Sequence, residues 1–403
     1  MNILYYYHYA GSIESPREWR AYHLSKAYTE LGHNVSVVTA SYHHLHKNKS
    51  QQTVNVKQKN VDGINYYWLK TPDYIGNGLG RIKNMLAFGY STLFKDPVKS
   101  LHIEKPDIVI ASSVHPFHVL AAIRWARKYN AKVCFEVRDP WPLSLNLLLG
   151  VSKWHPFSLL LQFFQYIGHK FTDKTISTAI NLDQYMVKHG LDTNKYIYAC
   201  NGIDINQDQS DTSILDSELI KIRNKYKRIL MYTGSHGTPN ALYPLIEGFN
   251  QVKNDEIALV MIGQGNEKSR LQKISDNSNC YFFDPIEKRE IQRVLSFADI
   301  CVISWKDLPL YQYGVSPNKI FDYMLAKKPI IQAINSKGNQ VEIARSGLNI
   351  LPENADFFAD AINSMCAKED NELKALGENG YSYLINHCQY SQIAQHILSE
   401  VEK

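Results

Sequence analysis

The sequence of 403 residues lacks the features that mark several common protein classes. No run reaches about 18 uninterrupted apolar residues, so the sequence predicts no membrane-spanning helix. Its six cysteines are scattered and never spaced as C-x-x-C, which argues against a zinc site or a disulfide framework and favours a reducing compartment. No G-x-G-x-x-G follows the first predicted strand, which argues against a nicotinamide-dependent dehydrogenase. Internal repeats and low-complexity tracts are also missing.

What the sequence contains fits a globular protein of two domains. With 403 residues, of which 44% are hydrophobic, the chain is too long for one ordinary core and apolar enough for two. Its net charge of +5 suits anionic phosphates or a lipid surface and is too small for a nucleic-acid-binding arm. The first residues, MNILYYYHYAGS, lack a basic flank and a small-residue cleavage site, and they predict a strand rather than a signal peptide.

Short apolar strands alternate with amphipathic helices along both halves of the chain. Stretches such as NVSVVTA, RILMYTG and IALVMIG predict buried strands. The alternation stops in a polar linker over residues 201–225, resumes after it, and ends in a helical tail over 370–403. This order predicts an α/β protein with two doubly wound parallel-sheet domains facing a central cleft. Ligands of such sheets bind beyond the carboxyl ends of the strands.

The stretch SPNKIFDYMLAKKPII follows a predicted strand and opens a helix. Ser316 is predicted to cap this helix and Pro317 to occupy its first turn. The free amides and the dipole of the helix favour an anion, which Lys319 can also reach. Asp322 lies on the same face as Lys319 and can accept hydrogen bonds from sugar hydroxyls. The alternative is a capped surface helix with an ion pair between Lys319 and Asp322.

Two glycine-rich loops each connect a predicted strand to a helix in the same half of the chain. MYTGSHGTPN contains Gly234 and Gly237, and MIGQGNEKSRL contains Gly263 and Gly265. Glycines let backbone amides approach a phosphate closely, although a glycine at a strand end often serves only to make a turn. Together with the helix at Ser316, these loops predict three anion-binding positions at one edge of the sheet.

The first half of the chain places charged residues at the ends of two predicted strands. GSIESPREWRAY carries Arg17 and Arg20, either facing a ligand or beginning a solvated helix. CFEVRDPWP places Glu136 and its two charged neighbours at the end of a buried strand, where charges are costly unless used or paired. We expect a substrate-facing cluster, and the alternative is a buried ion pair. His115, in SSVHPFH, is a further candidate, although a lone histidine is more often structural.

Together these stretches resemble glycosyltransferase family 4, which has the GT-B fold with two Rossmann-like domains. The most specific pieces are SPREWRAYHLSKAYTELGHNVSVVTA, FEVRDPWP, NGID, MYTGSHG, MIGQGNEKSRL and SPNKIFDYMLAKKPII. The subgroup that they resemble builds bacterial O-antigen and capsular polysaccharides, as N-acetylfucosaminyl-type transferases do. The resemblance implies transfer of a sugar, an N-acetylated hexosamine or deoxy derivative, from a nucleotide-diphosphate donor, expected to be linked to UDP, to a glycan hydroxyl. It implies retention of configuration without a metal ion or other cofactor.

The resemblance also assigns domains and site residues. Residues 1–200 would bind the acceptor, residues 201–385 would bind the donor, and a helix over 386–403 would cross back to the first domain. Asp322 would bind the donor ribose, and Lys319 would bind the diphosphate. The implied donor-binding residues are Gly234, His236, Gly237, Thr238, Asn240, Gly263, Gly265, Pro285, Ile286, Ser316, Pro317, Lys319 and Asp322. The implied acceptor-binding residues are Gly11, Ser15, Arg17, Arg20 and Trp141. The candidate catalytic residues are Glu136, Arg138, Asp139, His115 and Lys319.

The sequence departs from the family pattern at three places. The first of two glutamates common in the family falls on Gly314, and the usual Arg and Lys after TGSHG are missing. Arg138 stands where many relatives have a histidine. Two other functions therefore remain open, a GT-B sugar-nucleotide epimerase and a non-catalytic partner of another glycosyltransferase.

The acceptor is expected to be lipid-linked. Residues 142–170, PLSLNLLLGVSKWHPFSLLLQFFQYIGHK, are rich in Leu, Phe and Trp and are broken by Gly150 and Pro156. Such a stretch can lie on a membrane surface, or it can pack as two helices against the core. We therefore expect a cytoplasmic protein that associates peripherally with the inner face of the cytoplasmic membrane and binds no nucleic acid.

Overall fold

The computed structural model describes residues 1–11, 19–42, 55–76, 78–113, 115–206 and 209–403. These residues form two compact units. Unit 1 contains Met1–Asn201 and Tyr390–Lys403, and unit 2 contains Gly202–Gln389. Each unit is a parallel α/β sheet with helices, so the predicted fold class is confirmed. No helix in these ranges is both long enough and apolar enough to cross a bilayer.

The sheet of unit 1 has the strand order β3-β4-β2-β1-β5-β6-β7-β8. Its pairs are parallel except for the antiparallel pair of β3 and β4, which the sequence analysis missed. Central strands are buried on both faces, which explains their continuous apolar sequences. The strands are β1 (Asn2–Tyr7), β2 (Asn34–Ala40), β3 (Val56–Val61), β4 (Ile64–Leu69), β5 (Ile108–Ser113), β6 (Lys132–Val137), β7 (Lys174–Ser177) and β8 (Tyr196–Tyr198).

The helices of unit 1 connect these strands, and the last helix of the chain returns to pack on the first. There the ring of Tyr390 stacks on that of His23, with 4.9 Å between the ring centres. The helices are α1 (Trp19–Glu30), α2 (Leu79–Phe94), α3 (Pro97–Ser100), α4 (Val119–Tyr129), α5 (Leu143–Leu149), α6 (Pro156–Phe171), α7 (Asp183–Met186) and, at the chain end, α16 (Tyr390–Glu402).

The sheet of unit 2 is parallel and has the strand order β11-β10-β9-β12-β13-β14. Its core lies between the sheet and the helices α9 and α14, with Leu245, Phe249 and Phe358 fully buried. The strands are β9 (Arg228–Thr233), β10 (Ile257–Ile262), β11 (Cys280–Phe283), β12 (Ile300–Ser304), β13 (Ile330–Ala333) and β14 (Gly347–Ile350). The helices are α8 (Asp216–Lys225), α9 (Tyr243–Gln251), α10 (Lys268–Ile274), α11 (Ile291–Ser296), α12 (Asn318–Leu325), α13 (Gln340–Ala344), α14 (Ala355–Cys366) and α15 (Asp370–His387).

The linker predicted over residues 201–225 is wrong in its second part. Residues Asp216–Lys225 form α8, whose Leu219 and Ile222 are buried. Acidic residues in its first turn and basic residues in its last turn suit the helix dipole. The helix is hard to detect from sequence because only two of its ten residues are buried, which leaves a weak apolar period.

Candidate functional site

The strand order of unit 2 defines a switch point beside its first strand, β9. The chain passes from β9 to β10 and β11 on one side, and then crosses to β12 on the other side. In open α/β sheets, ligands bind at such a point, beyond the carboxyl ends of the strands. The loop after β9 and the segment from β12 to α12 both begin at this edge, and they contain most of the predicted donor-binding residues.

Lys319, in the first turn of α12, contacts residues of β9 and of the loop that follows it. Its ammonium donates to the Tyr232 hydroxyl at 2.7 Å and to Asn240 Oδ1 at 3.0 Å. It also lies 4.5 Å from the centre of the Tyr232 ring, which suits a cation–π contact. Burial lowers the pKa of Lys319 to about 8. The Arg and Lys that the family usually has after TGSHG are absent, but Lys319 of α12 supplies a cation at this loop.

Asp322, on the same helix, is buried and pairs with a lysine from another loop. Its Oδ1 accepts a hydrogen bond from the ammonium of Lys288. Burial raises the pKa of the Asp322 carboxyl, and the charge of Lys288 acts in the opposite direction. The predicted Pro285 and Ile286 lie in the loop that leads to Lys288. The alternative of an ion pair between Lys319 and Asp322 is wrong, because each side chain bonds to a different partner.

The start of α12 differs from the prediction by one residue. The helix begins at Asn318, and the cap position is Pro317, which has an extended backbone (ψ 141°) and no side chain that can accept a hydrogen bond. The prediction that Ser316 caps the helix is therefore wrong. Because Pro317 has an extended ψ, it lies just before the helix, and the cap position is Pro317 instead of Ser316.

The two glycine-rich loops pack backbone against backbone. A Cβ atom on Gly263 would lie 1.8 Å from the carbonyl oxygen of Gly234, and one on Gly265 would lie 2.3 Å from that of His236. The amide of Gly234 donates to Ile262 O at 2.9 Å, and the amide of Gly263 donates to Phe283 O at 3.2 Å. These two amides are therefore used within the protein, and the prediction that they cradle an anion is not supported. The glycines hold the two loops together instead.

His236 is fully buried between Tyr232 and Phe282, with ring centres 5.8 and 6.2 Å away. Neither ring nitrogen of His236 has a hydrogen-bond partner among the described residues. Burial, with the nearby charges of Lys268 and Lys319, lowers the pKa of His236 to about 4, so that the ring is neutral near pH 7. A neutral imidazole with an unused nitrogen can bond to a ligand atom as donor or acceptor.

The remaining donor-site positions lie close to these groups in the chain. Gly237 precedes a 3₁₀ turn formed by Thr238–Asn240, and Asn240 Nδ2 donates to Ser235 O at 2.9 Å. Gly314 has φ 95° and ψ 166°, a backbone region that is essentially restricted to glycine. The position where the family often has a glutamate therefore has no side chain, and its backbone disfavours one.

Glu136 and Arg20 form a buried ion pair in unit 1. The distance between Arg20 Nε and Glu136 Oε1 is 2.8 Å, and both side chains are 1% exposed. The Tyr5 hydroxyl donates to Glu136 Oε2 at 2.5 Å, and Arg20 also donates to the carbonyls of Ala199 and Cys200. The structure therefore favours the alternative of a buried ion pair and does not support the predicted catalytic role of Glu136 or the acceptor-binding role of Arg20. Both groups are sealed inside the unit, and both are fully used there.

His115 is also in the interior of unit 1. It is 1% exposed, and its Nε2 lies 2.5 Å from Nδ1 of His8. His118 lies beside it, with ring centres 5.2 Å apart, and bonds to Ser112 O. Burial lowers the pKa of His115 well below its ordinary value, with the neighbouring His118 as the next cause. A catalytic role for His115 is therefore not supported, because its Nε2 is already bonded to His8 inside the unit.

The other predicted residues of unit 1 lie at turns after strands. Asp139 is exposed, and the guanidinium of Arg138 lies over the Tyr7 ring at 5.6 Å. Trp141 is half-buried and joined to Pro142 by a cis peptide bond. The carbonyl of Gly11 accepts a hydrogen bond from Tyr66. Two predicted acceptor-binding residues, Ser15 and Arg17, lie outside the described residues.

Sequence reasoning missed three polar partners in unit 2. Tyr232 and Lys288 bond to Lys319 and Asp322, and Lys268 donates to Phe283 O and Asp284 Oδ1. Tyr232 lies at the end of the predicted strand RILMYTG, where a polar side chain at the carboxyl edge was the available signal. No local sequence pattern distinguishes Lys268 or Lys288 from ordinary surface lysines, because each simply begins a helical turn.

A family model and a curated relative both match part of the chain. The model of Glycosyltransferase Family 4 matches residues 18–207. The "Putative colanic acid biosynthesis glycosyl transferase WcaI" of Escherichia coli K12 is 22% identical over 266 residues, which are 62% of this chain and 64% of that protein. The match therefore spans less than two thirds of the relative's length.

Two solved structures share the fold over nearly the full chain. Sucrose-phosphate synthase from Thermosynechococcus elongatus has a TM-score of 0.70 at 14% identity and covers 99% of this chain and 97% of its own. HepE from Anabaena, in complex with UDP and glucose, has a TM-score of 0.65 at 14% identity and covers 100% and 99%. The chain is therefore similar to Glycosyltransferase Family 4 over residues 18–207, and the protein has the GT-B fold.

Proposed function

We propose that this protein is a glycosyltransferase that moves a sugar from UDP to a hydroxyl of a lipid-linked glycan during synthesis of a bacterial surface polysaccharide. The observation that carries the proposal is the position of Lys319 and Asp322 on α12, at the switch point of the unit 2 sheet. One side chain supplies a cation and the other a carboxylate, which are the groups that a diphosphate and a ribose require. The similarity to WcaI and to the UDP complex of HepE supports the same assignment.

The proposed reaction exchanges one bond at the anomeric carbon for another. The bond from this carbon to the diphosphate oxygen breaks, the acceptor oxygen forms the new bond, and the hydroxyl proton passes to the departing diphosphate. The departing diphosphate gains negative charge, which Lys319 stabilises. Both ring nitrogens of His236 lack a partner among the described residues, and the one that carries the proton is proposed to donate a hydrogen bond to the same group. A protein cation at this position makes the transfer independent of metal ions.

The sugar is proposed to be an N-acetylated hexosamine or a deoxy derivative, transferred with retention of configuration. No covalent nucleophile is assigned, and we propose that the acceptor attacks from the face that the diphosphate leaves. Because Glu136 and His115 are buried and bonded within unit 1, the residues proposed to orient the acceptor are Asp139, Arg138 and Trp141. Of these, Asp139 is exposed and can accept a hydrogen bond from a hydroxyl.

The protein is proposed to work in the cytoplasm, at the membrane surface where a lipid-linked acceptor lies. All six cysteines are free thiols, which supports a reducing compartment. The apolar character of α5 and α6 supports an acceptor that is held at a membrane.

A transfer assay tests the proposal. Purified protein is incubated with a panel of UDP-sugars and a membrane extract that supplies lipid-linked glycans, with and without EDTA, and released UDP and glycolipid product are both measured. We expect sugar transfer from one UDP-sugar, unchanged by EDTA. Lys319→Ala should reduce it at least tenfold, whereas Lys374→Ala, which removes an exposed lysine of unit 2, should not.

The same assay without acceptor separates the other two functions. An epimerised sugar formed from the donor alone would establish an epimerase and contradict the transferase. Binding of UDP without transfer from any of the donors would instead favour a non-catalytic partner of another glycosyltransferase. Gly314 supports this alternative, because it supplies no side chain where the family often has a glutamate.

A further inference from the structure

Two helices of unit 1 expose stripes of large apolar side chains. In α2, Leu86, Tyr90 and Phe94 are spaced four residues apart, so they lie on one side of the helix, and Tyr90 is 67% exposed. In α6, Leu159 and Phe163 are likewise four residues apart, and Phe163 is 57% exposed. Single exposed apolar residues are ordinary, but two such stripes on helices that both pack against α4 indicate an interaction surface.

Helix α4 packs against both α2 and α6 and adds positive charge to the same surface. The guanidinium of Arg124 lies 5.8 Å from the ring centre of Phe94 on α2. The guanidinium of Arg127 lies 5.9 Å from the ring centre of Phe171, the last residue of α6. Both arginines are exposed. The cations therefore stand among the exposed aromatic rings of the two neighbouring helices rather than on a separate side. We call the exposed sides of α2, α4 and α6 the aromatic–basic face.

The charge of this region has one sign. Helices α2, α4, α5 and α6 contain no Asp or Glu, whereas α2 has two Lys or Arg residues, α4 has three and α6 has one. Lys128 of α4 is paired with Asp96, which follows α2, so one of these charges is neutralised. Leu149, the last residue of α5, and Trp154, two residues before α6, are also exposed. Exposed cations next to exposed aromatic and aliphatic side chains are the composition that binds anionic membrane surfaces.

We propose that the aromatic–basic face binds the surface of an anionic lipid bilayer. Apolar side chains of α2 and α6 enter the boundary between headgroups and acyl chains, and Arg124 and Arg127 bind the anionic headgroups. The surface is wider than the stretch 142–170 indicates, because α2 and α4 supply half of the aromatic stripes and most of the charge. The purpose of this binding rests on the proposed function, because docking on a membrane would bring the protein to its lipid-linked acceptor.

Vesicle flotation with the full chain, without donor or acceptor, tests the proposal. Vesicles are made of phosphatidylcholine alone or with phosphatidylglycerol added. We expect binding to the anionic vesicles, weakened by added salt, and much less binding to phosphatidylcholine. Replacing both arginines, Arg124→Gln with Arg127→Gln, should lower the partition coefficient by about fivefold for each charge. Tyr90→Ser with Phe163→Ser should lower it by roughly tenfold or more.

Matched variants in unit 2 serve as controls. Ile220→Ser with Ile343→Ser removes two exposed apolar side chains, and Lys227→Gln with Lys374→Gln removes two exposed cations. These variants should float as the wild type does. Lack of binding to anionic vesicles overturns the proposal, and so does equal binding to both vesicle types or equal loss in the control variants. Thermal unfolding of each variant, with and without UDP, shows that it is folded and tests the donor site separately from the membrane.

Discussion

The ammonium nitrogen of Lys319 lies 2.7 Å from the hydroxyl oxygen of Tyr232 and 4.5 Å from the centre of the same ring. The contact joins the first turn of α12 to the end of β9, the strand beside the switch point of the sheet. It holds a partly desolvated cation where a ligand of this sheet would bind. Removing water from a charge strengthens its interaction with an opposite charge, which is what a leaving diphosphate requires.

The binding of UDP should depend on the protonation of Lys319. Since burial lowers the pKa of this lysine to about 8, its ammonium is lost as the pH rises past that value. The Kd for UDP should then rise by up to about tenfold per pH unit. A plot of Kd against pH should therefore bend near the pKa of Lys319. Bound diphosphate favours the charged lysine and raises its pKa in the complex. Titration calorimetry across this range measures the effect.

The control for this pH dependence is Lys319→Arg, because a guanidinium stays protonated across the range. The bend in Kd should vanish in this variant even if its affinity is lower. A bend that persists there would assign the titration to another group. The lowered pKa also means that the unfolded chain binds more protons between pH 8 and the ordinary lysine value of 10.5, so the Lys319 contribution to stability rises with pH over that interval.

Asp322 and its partner Lys288 should differ in their importance for donor binding. Asp322→Asn removes the acceptor charge proposed for the ribose hydroxyls, and the Kd for UDP should increase by about tenfold, or about 1.4 kcal/mol. Lys288→Gln should change the Kd by less than about threefold, because the Lys288 side chain is half-exposed and solvent screens its charge. Equal losses in the two variants, measured by calorimetry, would show that the carboxylate acts only through the ion pair.

Replacing Glu136 should reduce stability rather than catalysis. Glu136→Gln leaves the buried guanidinium of Arg20 without its counter-charge, and loss of one partner of a buried pair costs about 3–5 kcal/mol. Denaturant unfolding should show this loss, while kcat of the folded enzyme should change little. The double variant with Arg20→Gln should lose less than the sum of the two single variants. Normal stability together with an inactive enzyme would return Glu136 to the catalytic candidates.

Gly265 should tolerate no side chain, because its loop packs directly against the loop after β9. In Gly265→Ala, the new Cβ would lie 2.3 Å from the carbonyl carbon and oxygen of His236, and backbone cannot move aside cheaply. We expect a loss of more than about 2 kcal/mol in unfolding free energy and weaker UDP binding. Gly78→Ala is the matched control, since a Cβ there meets nothing within 4 Å. Similar stability of the two variants would contradict the role given to the glycine.

Most strands were predictable because their sequences are continuous apolar runs. The stretch IALVMIG gave β10, Ile257–Ile262, to within one residue, since a strand covered on both faces needs no polar alternation. The hairpin of β3 and β4 was missed because β3 is largely polar and exposed. Its available signal was the turn Asp62-Gly63, in which both residues have positive φ, as a tight hairpin turn requires.

The sequence predicts which residues of α12 lie at the candidate site, but it does not predict which residues they bond to. The sequence places Lys319 and Asp322 on one helix at a strand end, but their partners Tyr232 and Lys288 lie 87 and 34 residues away along the chain. Likewise, the charge of Glu136 in the buried strand β6 is equally compatible with an ion pair and with a catalytic role. Only the tertiary structure brings Arg20 to Glu136, across 116 residues. Local patterns thus show where a charged group lies and leave open what it bonds to.

The central claim is that α12 and β9 form a donor site for UDP, and thermal unfolding with UDP in the presence of EDTA tests it most directly. At a concentration of about 100 times its Kd, UDP should stabilise the wild type by about 2.7 kcal/mol. The account predicts that this gain is present without metal, is lost in Lys319→Ala, and is retained in Lys374→Ala. No stabilisation of the wild type by UDP, or the same stabilisation in Lys319→Ala, would contradict it.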